Sequence, residues 1–221
     1  LYADLDGFTA YVRNHIDHQP EAVVKVLHVI RAELDRVLHS DFGGRKIRFI
    51  GDCVHGLLCE GTAQNTDAEA TVSTGTLCAG GLRSSFDLAL EKLAIAGLDT
   101  AGLGLQIGFD YGPMTITRLG IHGDRVRCSV SRGVRSSEAE QLRCESNETS
   151  LGMQAYDLGT QAVRDLFGDG RKIADLDYNA AIEALAEGGD QTAKCARRAA
   201  LGMAAPAVAR AADVQVKPYA S

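Results

Sequence analysis

Several common functions are excluded by what the chain lacks. No apolar run approaches the ~18 residues that a bilayer span requires. The basic residues form no stripe: 23 Lys and Arg stand against 29 Asp and Glu, for a net charge of −6. That balance disfavours a nucleic-acid-backbone binder or a protein held electrostatically on a membrane surface. The six cysteines (Cys53, Cys59, Cys78, Cys128, Cys144 and Cys195) include no C-x-x-C pair. A disulfide scaffold and a zinc ribbon are therefore excluded, and the thiols read as reduced and partly buried in a cytoplasmic protein. There is no internal repeat and no Ser-His-Asp or Cys-His constellation. His15 and His18 lack an acidic or cysteine partner at ligand spacing and read as solvated helix residues.

What is present is 221 residues, 45% of them apolar, enough for one compact domain with a modest extension. Residue 1 already lies in a strand-like stretch, so a leader peptide, if there is one, lies outside this numbering. Leu1–Leu5 reads as a strand running into an Asp6-Gly7 turn and then a helix. Pro20-Glu21 opens a second helix, with apolar residues from Val23 to Leu38 at three- and four-residue steps, stopped by Gly43-Gly44. Strands at 45–50 and 53–59 flank Gly51-Asp52 and read as a β-hairpin with Asp52 at its tip. A long helix over 66–96 follows, then a strand at 103–109, a turn at Tyr111-Gly112-Pro113, a returning strand at 114–119 and another at 125–130. Helices near 134–144 and 157–167, a weak strand at 171–174 and a helix near 178–187 complete residues 1–187. An Ala-rich extension, 188–221, begins with a helix expected over 191–205. Hairpins stand where a doubly wound sheet would have helices. The pattern predicts an α+β sandwich with a mainly antiparallel sheet covered on one face.

Two acids could carry chemistry. Asp4 ends the first strand and Asp52 tips the hairpin, so a first strand lying beside the hairpin brings both to one edge of the sheet. Either alone is explained as a turn former or cap. Together they can hold two Mg²⁺ ions whose other sites are filled by water and substrate phosphates. The Asp6-Gly7-Phe8-Thr9 loop enters a helix, so its N–H groups can cradle a phosphate.

At these residues the chain resembles a family. Tyr2-Ala3-Asp4-Leu5-Asp6-Gly7-Phe8-Thr9 is similar to the opening motif of class III nucleotidyl cyclases, and Lys46-Ile47-Arg48-Phe49-Ile50-Gly51-Asp52 to their hairpin. Gln106 to Pro113 is similar to a later strand and turn of that family. The resemblance covers about residues 1–175. It implies a ferredoxin-like sandwich acting as a homodimer with active sites at the interface. Asp4 and Asp52 would be metal carboxylates for two Mg²⁺ or Mn²⁺ ions, Leu5 would offer its backbone carbonyl to one metal, and the N–H groups of Asp6, Gly7, Phe8 and Thr9 would hold the triphosphate. The ribose 3′-hydroxyl would attack the α-phosphorus in line as pyrophosphate leaves. A triphosphate of about −4 with two carboxylates is balanced by two divalent ions.

Departures from the family bear on the base. Arg48 stands where the family has Lys, and Val130 falls near its purine-selecting Asp or Cys. With the bulky Phe49, Arg48 offers donors to a carbonyl-rich base. Ser137 replaces the Asn that orients the ribose, and Gln141 replaces the Arg that stabilises the transition state, with Arg132, Arg135 and Arg143 nearby to substitute. Arg171 and Lys172 fall near the family's triphosphate Lys. These departures resemble the pyrimidine cyclases of bacterial anti-phage (Pycsar) systems, which make cyclic UMP or cyclic CMP for a separate effector. The implied substrate is a pyrimidine triphosphate, UTP ahead of CTP. Two alternatives stay open. Asp4-Leu5-Asp6-Gly7-Phe8-Thr9 also matches the D-x-D-G-x-T opening of haloacid-dehalogenase-like phosphatases, which need a parallel sheet and a distal acidic motif. A cyclase-like binding module that dimerises without turnover is the other.

Overall fold

The computed structural model describes residues 1–62, 64–121, 123 and 125–200, with the side chains of 48–50 and 200 outside that description. In chain order, β1 (Tyr2–Asp6) leads through Gly7 into α1 (Phe8–His15). α2 (Pro20–Arg36) ends in a π-helical turn (Val37–Asp41) and is followed by β2 (Arg45–Ile50) and β3 (Cys53–Leu57). A miniature hairpin, β4 (Glu60–Gly61) and β5 (Thr66–Asp67), precedes the long α3 (Ala68–Ile95). Then come β6 (Gly104–Phe109), β7 (Thr115–Leu119), β8 (Val126–Val130) and α4 (Arg132–Gln141). β9 (Glu148–Leu151), α5 (Met153–Leu158), α6 (Gln161–Phe167) and β10 (Lys172–Ala174) lead to α7 (Tyr178–Glu187) and α8 (Gln191–Ala200).

Six strands form the main sheet in the order β10-β9-β6-β1-β3-β2. Every pairing is antiparallel except β6 with β9. β1 is a central strand, and its period-2 alternation sets the two faces. Ala3 and Leu5, with Leu105, Ile107 and Val54, belong to the buried core. That core is closed by the stripe Val23, Val26, Ile30 and Leu34 on α2 and by Val72, Leu82 and Phe86 on α3. Burial of Phe86 alone contributes about 1.5–3 kcal/mol.

The opposite face is not bare, as the expectation of a sheet covered on one side had it. α4 lies on it, and close approach is allowed by Gly108, where a Cβ would strike the backbone of Gln141 and Ser137. Among the described residues β7 and β8 pair only with each other, as a separate two-stranded ribbon. The returning strand at 114–119 therefore does not fold back on β6. The ribbon is tied to the sheet by Arg127, whose Nη1 donates to the Lys46 carbonyl (2.6 Å), and by a 2.8 Å hydrogen bond between His55 Nε2 and Ser129 Oγ.

The strand β9 was not anticipated, and the helix expected over 157–167 is two short helices separated at Gly159-Thr160. Thr160 caps α6, its hydroxyl accepting from the Val163 N–H. Beyond residue 187, α8 begins at a buried Asp190. Its carboxylate accepts from Ser73 Oγ (2.5 Å), Thr160 Oγ1 (2.9 Å) and the Ala193 N–H (2.9 Å), anchoring the helix to α3 and α6. The expected continuation of this helix to 205 lies outside the described residues.

Candidate active site

β6 partners β1 from Tyr2 to Asp6, whereas β3 partners it only at Tyr2 and Ala3. β3 begins immediately after the Gly51-Asp52 turn, so β1 runs past the hairpin end and leaves a notch. Gly51 sits at φ +60°, a conformation that favours glycine and lets the turn close tightly. The Leu1 carbonyl accepts from the Gly56 N–H (3.0 Å), so it points toward β3. Carbonyls two residues apart on a strand point the same way, which turns the Leu5 carbonyl toward β3's side at a level where β3 has ended. The notch thus gathers Asp4, Asp52 and an unladdered carbonyl edge.

The electrostatics agree. The Asp4 carboxyl is pushed up from its ordinary 3.8 to about 6, chiefly by burial and next by the charge of Asp52. Asp52 is also raised, by burial, while the Arg31 charge draws it partly back. Cys53 is pushed to about 12 by burial and by both aspartates, so its thiol stays protonated and is not a nucleophile here. Both half-buried carboxylates are raised by burial, Asp4 further by the charge of Asp52, with the Arg31 charge offsetting part of the effect at Asp52. Hard oxygen donors in an open notch fit a divalent ion of the Mg²⁺ type. Among the described residues no group of three or more His, Cys, Asp or Glu side chains is gathered for a metal. Any ion here rests on the carboxylate pair and backbone, with the rest of its shell open to substrate.

Beside the notch, Gly7 opens α1 at φ +75°, where a Cβ would collide with the Gly102 carbonyl. α1 has no side-chain cap and no acid in its first turn, so its leading N–H groups are available to an anion. Asp6, Gly7, Phe8 and Thr9 therefore lie together at the sheet edge beyond Asp4.

The remaining candidates separate into three groups. Ser137 and Gln141 are buried against their own sheet. The Ser137 hydroxyl accepts from the Asp110 N–H (3.0 Å), and Gln141 Nε2 lies 2.9 Å from Gln106 Oε1 and 3.5 Å from Asp4 Oδ2. Val130, Arg132 and Arg135 are exposed, at the end of the ribbon and along the outer side of α4. Lys172 is on the edge strand β10, three strands from β1, with Nζ donating to Glu148 Oε2 (2.5 Å) and the Arg143 carbonyl (3.2 Å). Arg171 donates to Glu140 (3.1 Å) and the Leu151 carbonyl (2.7 Å). The side chains of Arg48 and Phe49 lie outside the described residues, although their backbones pair with His55 and Val54. Two residues were missed: Gln106, which stands directly across from Asp4 in the β1–β6 register, and Arg31 on α2, whose charge acts on Asp52. Only the strand register could have found Gln106.

No protein-family model matches the chain. The chain is 55% identical, over 99% of its own length and 42% of the relative's, to a uridylate cyclase of Pseudomonas aeruginosa. A crystal structure of a class III adenylyl cyclase-like ATP-binding protein from Pseudomonas aeruginosa superposes with a TM-score of 0.81 at 56% identity. That match covers 83% of this chain and 39% of the other. The adenylyl cyclase CyaB from the same organism matches at TM-score 0.57 and 22% identity, over 71% of this chain and 76% of its own. The chain thus spans about two-fifths of the relative and of the first of these structures. The antiparallel surroundings of β1 do not suit the phosphatase alternative, which requires a parallel sheet.

Proposed function

We propose that this chain, a class III nucleotidyl cyclase domain by fold and by its identity to a uridylate cyclase, converts a pyrimidine ribonucleoside triphosphate to its 3′,5′-cyclic monophosphate and pyrophosphate. UTP is favoured over CTP. The observation that carries this reading is the notch: two carboxylates raised by burial, Asp4 also by the charge of Asp52, beside an uncapped helix N-terminus, in a domain 55% identical to a relative named uridylate cyclase.

Asp4, Asp52 and the Leu5 carbonyl would hold two Mg²⁺ or Mn²⁺ ions, which when bound acidify the ribose 3′-hydroxyl and neutralise charge on the β- and γ-phosphates. The N–H groups from Asp6 to Thr9 receive the triphosphate at the positive end of α1. The 3′-oxygen forms its bond to the α-phosphorus in line with the bridging oxygen that departs on pyrophosphate, and the hydroxyl proton passes to solvent. No side-chain nucleophile takes part. Arg48 and Phe49 shape the base pocket with Val130.

The working unit in this reading is a homodimer. Its support is the ribbon, whose Ile116, Leu119, Val126 and Val130 expose apolar surface beside the outward-facing Arg132 and Arg135. From there a partner protomer presents Arg135 to the α-phosphate as the charge that Gln141 cannot supply, with Arg132 beside it. Lys172 is committed to Glu148 and is not drawn on. The cyclic nucleotide would serve as a second messenger for a separate effector in anti-phage defence. Incubation with Mn²⁺ and each of the four ribonucleoside triphosphates, with products identified by mass spectrometry, tests this. A cyclic pyrimidine nucleotide is expected, and absence of any cyclic product sinks the reading.

One alternative has specific support. The Pseudomonas aeruginosa structure is named for binding ATP, and Ser137 and Gln141 stand where the family keeps Asn and Arg. A nucleotide-binding module without turnover would bind triphosphate yet release no pyrophosphate.

A further inference from the structure

Gln141 is the last residue of α4 and is only 4% exposed. Three separate contacts fix its position. Gly108 lets the backbone of Gln141 rest on β6 without a side chain between them. One turn earlier, the Ser137 hydroxyl is bonded to the Asp110 N–H. The adjacent Glu140, 9% exposed, accepts from Ser150 Oγ (2.6 Å), Arg171 Nη1 (3.1 Å) and Arg143. The helix can neither roll nor slide without breaking these contacts. The carboxamide is therefore delivered to one place, between Gln106 Oε1 at 2.9 Å and Asp4 Oδ2 at 3.5 Å.

The Asp4 carboxylate can only accept, which turns the NH₂ group of Gln141 toward it, and Gln106 presents its Oε1 to the same NH₂ group. Gln106 sits directly across from Asp4 in the sheet, so Gln106, Gln141 and Asp4 form a short chain on one face. An Arg at position 141 would place a full positive charge beside Asp4 and compete with a metal for it. A Gln offers a directional donor and no charge. Gln106 takes one amide proton and thereby aims the other at Asp4 Oδ2.

We infer that Gln141, oriented by Gln106, is a positioning residue for Asp4 within the same protomer, holding the carboxylate in its metal-binding rotamer. The inference rests on the reading of Asp4 as a metal ligand. It assigns Gln141 a role distinct from that of the Arg it replaces, and it gives Gln106 a function. Groups that orient a ligating carboxylate change metal affinity by about 10–100-fold when removed.

The test measures Mn²⁺ binding by the free-ion EPR signal, without nucleotide, on the wild-type chain, Gln141→Met, Gln106→Met and the double variant. Thermal melts confirm that each is folded. Gln141→Met is expected to weaken Mn²⁺ binding by about tenfold or more. Gln106→Met should weaken it less, and adding Gln106→Met to Gln141→Met should change nothing further, because Gln106 acts only through Gln141. A structural defect would lower melting temperature without this non-additivity. Unchanged Mn²⁺ affinity in Gln141→Met, or losses that simply add, overturns the inference. If Gln141→Met does not fold, Gln106→Met alone decides by the same affinity readout. Wild-type protein that takes up Mn²⁺ with the expected coupling but makes no cyclic nucleotide overturns the cyclase reading and leaves this one standing. Cyclic product with no effect of either substitution on Mn²⁺ binding does the reverse, and wild-type protein that neither binds Mn²⁺ nor makes cyclic product overturns both.

Discussion

The two ends of the central sheet treat their acids in opposite ways. At the β9–β10 end, Glu140 is met by Arg143, Arg171 and a serine hydroxyl, and Glu148 is paired with Lys172 at 2.5 Å. The Lys172 ammonium and the Glu145 N–H hold the Glu148 carboxyl below its usual range. At the β1–hairpin end, Asp4 and Asp52 are pushed the other way, and what cationic help Asp52 receives from Arg31 does not offset its burial. Compensated acids close a fold, whereas acids left short of counter-charge and open to solvent mark where something positive is to be bound.

Breaking the uncompensated end should have the largest effect. Asp4→Ala and Asp52→Ala are each expected to lower cyclase turnover by on the order of 10³-fold or more, the loss of several kcal/mol of charge stabilisation. The metal-free fold should be unharmed, as product assays and melting curves on the same samples would show. Retained turnover in either variant removes the distinction between the two ends.

The compensated end should respond in stability instead. Glu140→Ala strands the guanidinium of Arg171, which is only partly exposed, and is expected to cost about 3–5 kcal/mol. Urea titration measures this directly. An unchanged midpoint would mean that the Glu140 cluster does not hold α4 down.

A pH series sharpens the contrast. Asp4 keeps its proton more readily folded than unfolded, so the metal-free chain binds more protons when folded between pH 3.8 and about 6, and stability declines as pH rises through that window. Asp4→Asn should therefore raise the metal-free melting temperature at pH 8, with the gain gone below pH 4. Discounted for the partial exposure of Asp4, the gain is of order 1 kcal/mol, or roughly 2–4 °C. Saturating Mn²⁺ should reverse its sign.

The smallest effect belongs to the surface pair. Glu148 is depressed, so its contribution is present above the ordinary glutamate range and is lost as pH falls through its lowered value. Glu148→Gln should cost no more than about 1 kcal/mol at neutral pH, and less in high salt. A larger loss would place Lys172 in a role beyond this pairing.

The uncompensated end was legible in the sequence because its parts are local. Alternating apolar residues before Asp6-Gly7 mark a strand end, and Gly51-Asp52 between two β-rich runs marks a hairpin tip. The resemblance to class III cyclases then joined them. The other end was not legible. β9 is four residues long and pairs in parallel with a strand some forty residues earlier, a contact that no local pattern announces. The ribbon looked like a strand returning to β6 because turn residues show where a chain reverses but not which strand receives it. Gln106 read as one polar residue in an apolar strand until the register set it opposite Asp4. The split between α5 and α6 turns on Gly159 and the Thr160 cap, a signal too short to stand out within an apparently continuous helical run.

The one parallel pairing has a consequence for where the candidate residues sit along the chain. Parallel neighbours cannot be joined by a tight turn, so the chain must leave the sheet after Phe109 and come back only at Glu148. That single excursion carries the ribbon, Val130, Arg132, Arg135, Ser137 and Gln141. Asp4 and Asp52 stay outside it, on the frame. In the proposed reading, the arginines offered to a partner and the residues packed toward Asp4 thus travel on one contiguous insert, while the two acids and Arg48 belong to the frame that receives it.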